Sequence, residues 1–305
     1  MNKTGEKTPI HRPFFGELSL LSLLLIAGLF VRRLLLILSE ALSSLPVFSQ
    51  LSVPLFYGLA FAFLPFLYLK AKRMRPSDVL CYRGKRLKHP ILTALASLTS
   101  IQLVGIAASL VITALGGDGS GAVAADAMPH DLPGILLFFV EAVCFPALFE
   151  EAFCRGLVLK TLLPYGRRKA LIVSALVFGL LHATPASMIY AFFGGLIFGS
   201  ITLRTGSLMG STVLHLLQNG FSCVLMLLIR LVNTPQEQTA AGVLLCAYLL
   251  IGAVCGLVLL VLYGKEKLAL HQAGKERQEI CLPAGGFFAS FGFWLFLLFA
   301  LIPLF

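Results

Sequence analysis

Apolar positions along this chain fall in long runs, neither in the every-other pattern of a half-buried strand nor in the narrow stripe of a surface helix. Read between polar or Gly/Pro breaks, the runs give nine stretches, about 15–39, 52–69, 90–115, 134–159, 169–184, 186–203, 207–229, 241–263 and 286–304. A helix needs about 20 mostly apolar residues to cross the hydrocarbon core of a bilayer. The pattern therefore predicts an all-α, polytopic transmembrane helix bundle of about nine spans. A transmembrane β-barrel is excluded, because its strands would alternate apolar and polar positions. The chain divides into N-terminal spans with a basic loop (1–133), a central group of spans (134–230) and C-terminal spans (231–305).

Composition strengthens this picture. Of 305 residues, 58% are hydrophobic and 12% charged, roughly half the charged share of a soluble domain, and the mean hydropathy is +0.92. A net charge of +10 would suit a nucleic-acid binder, but the basic residues are distributed as the positive-inside rule requires. With the N-terminus in the cytoplasm, 20 of the 24 Lys and Arg face inward, the largest group running from Lys70 to Lys88. The loops around 41–51, 116–133 and 231–240 contain none, and the second carries Asp118, Asp126 and Asp131. The expected topology is N-inside and C-outside, in a plasma or inner membrane. The basic loop lacks the interleaved aromatics of a nucleic-acid platform and reads as a surface facing anionic lipid. Expected partners are membrane lipid and a peptide or protein substrate in the membrane, with no nucleic acid. Seven cysteines form no CxxC pair and read as small buried side chains. Small-residue pairs at Gly195/Gly199, Gly206/Gly210 and Gly252/Gly256 predict close helix contacts.

A charged side chain near the bilayer centre costs about 2.5–3.5 kcal/mol on insertion scales, so each one inside a span needs a reason. The deeply placed groups are Glu150, Glu151, Arg155, His182 and His215, with the amide Asn219; Glu17 and Glu141 sit nearer span ends. At about 100° per residue, Glu151 and Arg155 stack on one helix face, acid first, as a good ion pair. Glu150 points away from Arg155 and must find a partner across the bundle. His215 and Asn219 are four apart and share a face. Each of these has a plain structural use alone, since an intramembrane His or Asn can simply bridge helices. Together, on three spans, they make a polar centre suited to hydrolysis or to ion or proton movement.

Peptide hydrolysis needs an activated water and a stabilised oxyanion. A buried carboxylate with an imidazole can supply the first, and a second imidazole with an amide N–H the second. Alternatively, Glu150, His182 and His215 could form a carboxylate–imidazole site for a divalent metal such as zinc, which would lower the pKa of a bound water. No HExxH, GxSxG or Cys–His arrangement is present to direct the choice. An ion mover would be expected to show two related halves, whereas here the polar groups cluster in one third of the chain.

Glu150, Glu151 and Arg155 fit an EExxxR motif, Phe178 and His182 an FxxxH motif, and His215 and Asn219 an HxxxN motif, in that order. Over roughly 134–230 the chain thus resembles the CPBP family of intramembrane proteases, also called the Abi or type II CAAX prenyl endopeptidase family. The resemblance implies cleavage of a peptide bond, in a membrane-associated or prenyl-type substrate, near the cytoplasmic side. It implies that Glu150 and His182 activate water, that His215 and Asn219 stabilise the oxyanion, and that Glu151 and Arg155 hold the site in shape. The family is described as metalloproteases, yet its need for a metal is disputed. The alternative is a non-proteolytic membrane protein, moving protons or ions or acting as a bacteriocin-immunity scaffold, built around the same polar centre.

Overall fold

The computed structural model describes residues 11–41, 46–117, 119 and 128–272, and among them every regular element is helical. In chain order the long helices are α1 (His11–Ala41), α2 (46–71), α3 (Pro90–Ala114), α4 (Leu132–Tyr165), α5 (Arg167–Leu180), α6 (Pro185–Thr205), α7 (Met209–Leu231) and α8 (Pro235–Gln272). Among the described residues six of them, α2, α3, α4, α6, α7 and α8, are long and apolar enough to cross a membrane. They account for six of the nine expected stretches. The first, 15–39, lies within α1, and the last, 286–304, falls outside the described residues, as do Lys3, Lys7, Asp118, Asp126, Lys275 and Arg277.

The stretch 169–184 is not among those six helices. It becomes α5, only 14 residues long, about 21 Å at 1.5 Å per residue and short of a bilayer core. The cause is local. Thr184 precedes Pro185, which disfavours helix at the residue before it, and caps α6 instead: its hydroxyl accepts from the Ser187 N–H at 3.2 Å and the Ser187 hydroxyl accepts from the Thr184 N–H at 3.0 Å. His182 therefore sits in the turn between α5 and α6, not inside a span.

Helix α4 departs from regular α geometry. The segments Val140–Cys144, Pro146–Glu150 and Ala152–Val158 close with the wider i→i+5 hydrogen bonds of a π-helix; Pro146, which has no N–H to give, opens the second of them. The adjacent Glu150 and Glu151 stand at the join between two such segments.

The most extensive helix contacts are α5 with α6, α3 with α8, and α3 with α6. Small residues permit them, as expected of the glycine pairs: a Cβ at Gly195 would lie 2.9 Å from the Ala175 Cα, and one at Gly252 would collide with Thr99. Gly206 proves to have another use. It adopts a left-handed φ of 72° and ends α6, a conformation that glycine takes without a Cβ penalty. Helix α8 turns Leu244, Leu250, Leu257 and Leu260 outward, as a helix facing lipid tails would.

One irregular segment matters to the site. After α2 and a turn at Pro76–Val79, residues 80–88 run extended over the α6–α7 turn. The Leu208 N–H donates to the Cys81 carbonyl at 2.7 Å and the Lys85 N–H to the Thr205 carbonyl at 2.8 Å. Between these bonds the backbones approach so closely that a Cβ at Gly84 would collide with the Thr205 carbonyl oxygen. Arg167 ties the same end of the bundle, donating to the Leu203 carbonyl at 2.8 Å. The basic residues of 83–88, 167–169 and 204 thus gather at one end, in keeping with the sidedness read from the sequence.

Candidate active site

Glu151 and Arg155 are both fully buried, and Arg155 Nη1 lies 2.9 Å from Glu151 Oε1. The approach is out of line for a hydrogen bond, so the pair is a charge contact. The guanidinium carbon sits over the Phe178 ring, 4.2 Å from its centre, and 5.4 Å from that of Phe198. A desolvated cation–π contact of this kind contributes about 2 kcal/mol. His215, on α7, is 4% exposed and brings Nδ1 to within 3.2 Å of the same Glu151 oxygen. Its ring stacks on Phe198 and meets Phe178 edge-on. A carboxylate only accepts, so Nδ1 carries a proton and Nε2 is the nitrogen His215 presents to chemistry.

Glu150 goes elsewhere. Its Oε1 accepts from the Tyr57 hydroxyl of α2 at 2.9 Å, which is the cross-bundle partner that helix phase demands. Tyr57 packs against Phe145 and Phe149 on α4. His182 Nδ1 lies 2.9 Å from the Phe178 carbonyl, an acceptor, so Nδ1 bears hydrogen and Nε2 is the basic nitrogen of the neutral ring. Asn219 donates through Nδ2 to the Ala142 carbonyl at 3.2 Å, leaving the second hydrogen of that amide nitrogen for another acceptor.

His182, His215 and Asn219 converge on a small cavity, ≈ 20 Å³ in volume, whose wall also includes Ile101, Phe178, Tyr190, Phe198 and Gln218. That is room for a water molecule. Glu150 is not among the lining residues. The site also draws on α2 and α3, outside 134–230, through Tyr57 and Ile101. On the segment 80–88, partial burial and, second, the Glu151 carboxylate push the Tyr82 phenol above its ordinary value.

The donor set Glu150, His182 and His215 does not fit a metal as it stands. Glu150 holds Tyr57 through one oxygen, and among the described residues no three His, Cys, Asp or Glu side chains are grouped to hold a metal ion. No step through a metal follows from this arrangement.

Three polar residues of the site escaped the sequence reading. Tyr57 and Tyr190 lie in apolar runs that offer no local signal. Gln218 does carry one, since it is three residues after His215 and so shares its face.

Residues 132–221 match the family described as type II CAAX prenyl endopeptidase Rce1-like. No curated protein and no solved structure matches the chain. The matched stretch begins with α4, ends within α7 and contains all three motifs. With its EExxxR, FxxxH and HxxxN residues gathered on neighbouring helices, the chain is similar over residues 132–221, under a third of its length, to the Rce1-like type II CAAX prenyl endopeptidases.

Proposed function

We propose that this protein is an intramembrane endopeptidase that hydrolyses a peptide bond in a membrane-associated or prenyl-type substrate near the cytoplasmic face. The observation that supports this most is the convergence of His182, His215 and Asn219, from three separate motif positions, on one water-sized cavity. In the reaction a water gives one proton to the base formed by His182 Nε2 and Glu150, and its oxygen adds to the peptide carbonyl carbon. One Glu150 oxygen is held by Tyr57, so proton acceptance falls to the other. The negative oxygen of the tetrahedral intermediate is received by the remaining Asn219 N–H and by a proton on His215 Nε2, the nitrogen left over by the Nδ1 contact with Glu151. Collapse breaks the C–N bond, and the proton held by the base passes to the leaving amine.

Arg155 and Glu151 act on shape. The charge contact and two aromatic rings fix the position from which Glu151 orients His215. The basic end of the bundle is the cytoplasmic end in this reading, in a plasma or inner membrane. The test is a comparison of membrane proteins from cells with the wild type and with Glu150→Ala. A substrate fragment present with the first and absent with the second is expected; identical fragment patterns would overturn the proposal.

A further inference from the structure

Gln218 takes no part in the roles above, yet its position is unusual. It is 2% exposed, lines the cavity beside His182, His215 and Asn219, and donates through Nε2 to the Tyr190 hydroxyl at 2.8 Å. Its Oε1 is buried with no hydrogen-bond partner. A buried amide oxygen left unpaired costs about 1–3 kcal/mol, and native proteins seldom leave one without a purpose.

The hydrogen bonds name the end of the amide that is left over. Ser222 donates its hydroxyl proton to the Gln218 main-chain carbonyl at 3.1 Å, not to the side chain. The Gln218 amide nitrogen is the end turned to Tyr190. The oxygen is the end without a partner. Ile101, Phe178, Ala191, Gly194 and Phe198 give the rest of the wall no polar side chain, so a water there depends on the few polar groups present.

We propose that Gln218 holds the attacking water: its Oε1 accepts one hydrogen of that water while the other is directed to the base at His182. With both hydrogens turned to the wall, a lone pair of the water oxygen faces the scissile carbonyl. The hydrogen on the base side is transferred. The O–H held by Gln218 stays with the oxygen and becomes the hydroxyl of the tetrahedral intermediate. The word "attacking" rests on the peptidase reading above; the water's place on Gln218 does not.

The experiment has a structural and a kinetic arm, both on the purified full chain. A high-resolution structure of the wild type should show an ordered water within about 3.2 Å of Gln218 Oε1, absent in Gln218→Met, which keeps the length but not the acceptor. With a farnesylated, internally quenched CAAX-type peptide, Gln218→Met should lower kcat by about 10- to 100-fold with KM within about twofold. Tyr190→Phe, which frees the amide to flip, should lower kcat by about 3- to 10-fold and carries the kinetic arm if the first variant does not fold. A dry wild-type cavity, or variants with wild-type kcat, would overturn the proposal. A wild type that holds the water but cleaves no peptide supports the hydration site and overturns the peptidase reading instead.

Discussion

Two settings among the described residues bring an arginine near a histidine, and they differ in what stands between them. In the heart of the bundle Arg155 and His215 share one oxygen of Glu151, all three almost wholly buried and walled by Phe178 and Phe198. At the end of α7, Arg230 meets His130 directly and donates to the Met128 and Pro129 carbonyls at 3.1 and 3.0 Å, with no carboxylate involved. There His130 is exposed and Arg230 half-buried. The second arrangement is a clasp that neutral carbonyls and solvent can satisfy. The first can exist only while each charge keeps its partner, because a stranded charge in a dry interior costs several kcal/mol.

The largest effect should come from breaking the inner arrangement. Glu151→Gln leaves Arg155 buried without its counter-charge and His215 without its orienting carboxylate; a loss of about 3–5 kcal/mol is expected, read as a sharp fall in melting temperature in detergent, together with loss of cleavage. Arg230→Gln tests the clasp. Loss of its carbonyl bonds should cost about 1–2 kcal/mol and leave cleavage within twofold, and an effect as large as that of Glu151→Gln would abolish the distinction between the two settings.

Glu150→Gln sharpens the contrast from within the same helix. Gln keeps an acceptor oxygen for Tyr57, so stability should change by less than about 1 kcal/mol, while cleavage disappears. If the melting curves of the Glu150 and Glu151 variants coincide, the division of labour between the two glutamates is wrong. The two bundle ends differ in the side of the membrane they face. A cysteine replacing the exposed Leu115 should gain labelling by an impermeant reagent from outside, relative to the parent chain, and one replacing Arg86 should not. The smallest expected effect is from metal removal: o-phenanthroline should leave cleavage unchanged, whereas reversible loss with rescue by zinc would restore Glu150, His182 and His215 as ligands.

The apolar runs carried most of the fold, since hydrophobic length is a local property. The ion pair of Glu151 with Arg155 was legible for the same reason: four residues along one helix decide it. Less legible was everything set by distant segments. Tyr57 reaches Glu150 from 93 positions away, and a tyrosine in an apolar run is too ordinary to announce a contact. The shortened α5 depended on a cap at Thr184–Pro185 that interrupts an otherwise apolar stretch. His215 was read as an oxyanion donor from motif resemblance, but its contact with Glu151 requires the protonated ring for that role, a constraint visible only once α4 and α7 are packed together.

The extended segment over the α6–α7 turn has a consequence for how the chain is made. Residues 80–88 leave the ribosome well before Thr205 and Leu208, the groups they bond, and domains form from the N-terminal side during synthesis. The strap must therefore wait through the synthesis of four more helices, α3 to α6, before its berth exists. Gly84 makes that berth exacting, since a single added methyl group would meet the Thr205 carbonyl. Locking of this segment is thereby a late, checkable event: only after α6 and α7 have turned back on each other can the loop between α2 and α3 be held down, and a nascent chain stalled before Leu208 should leave that loop open to added protease.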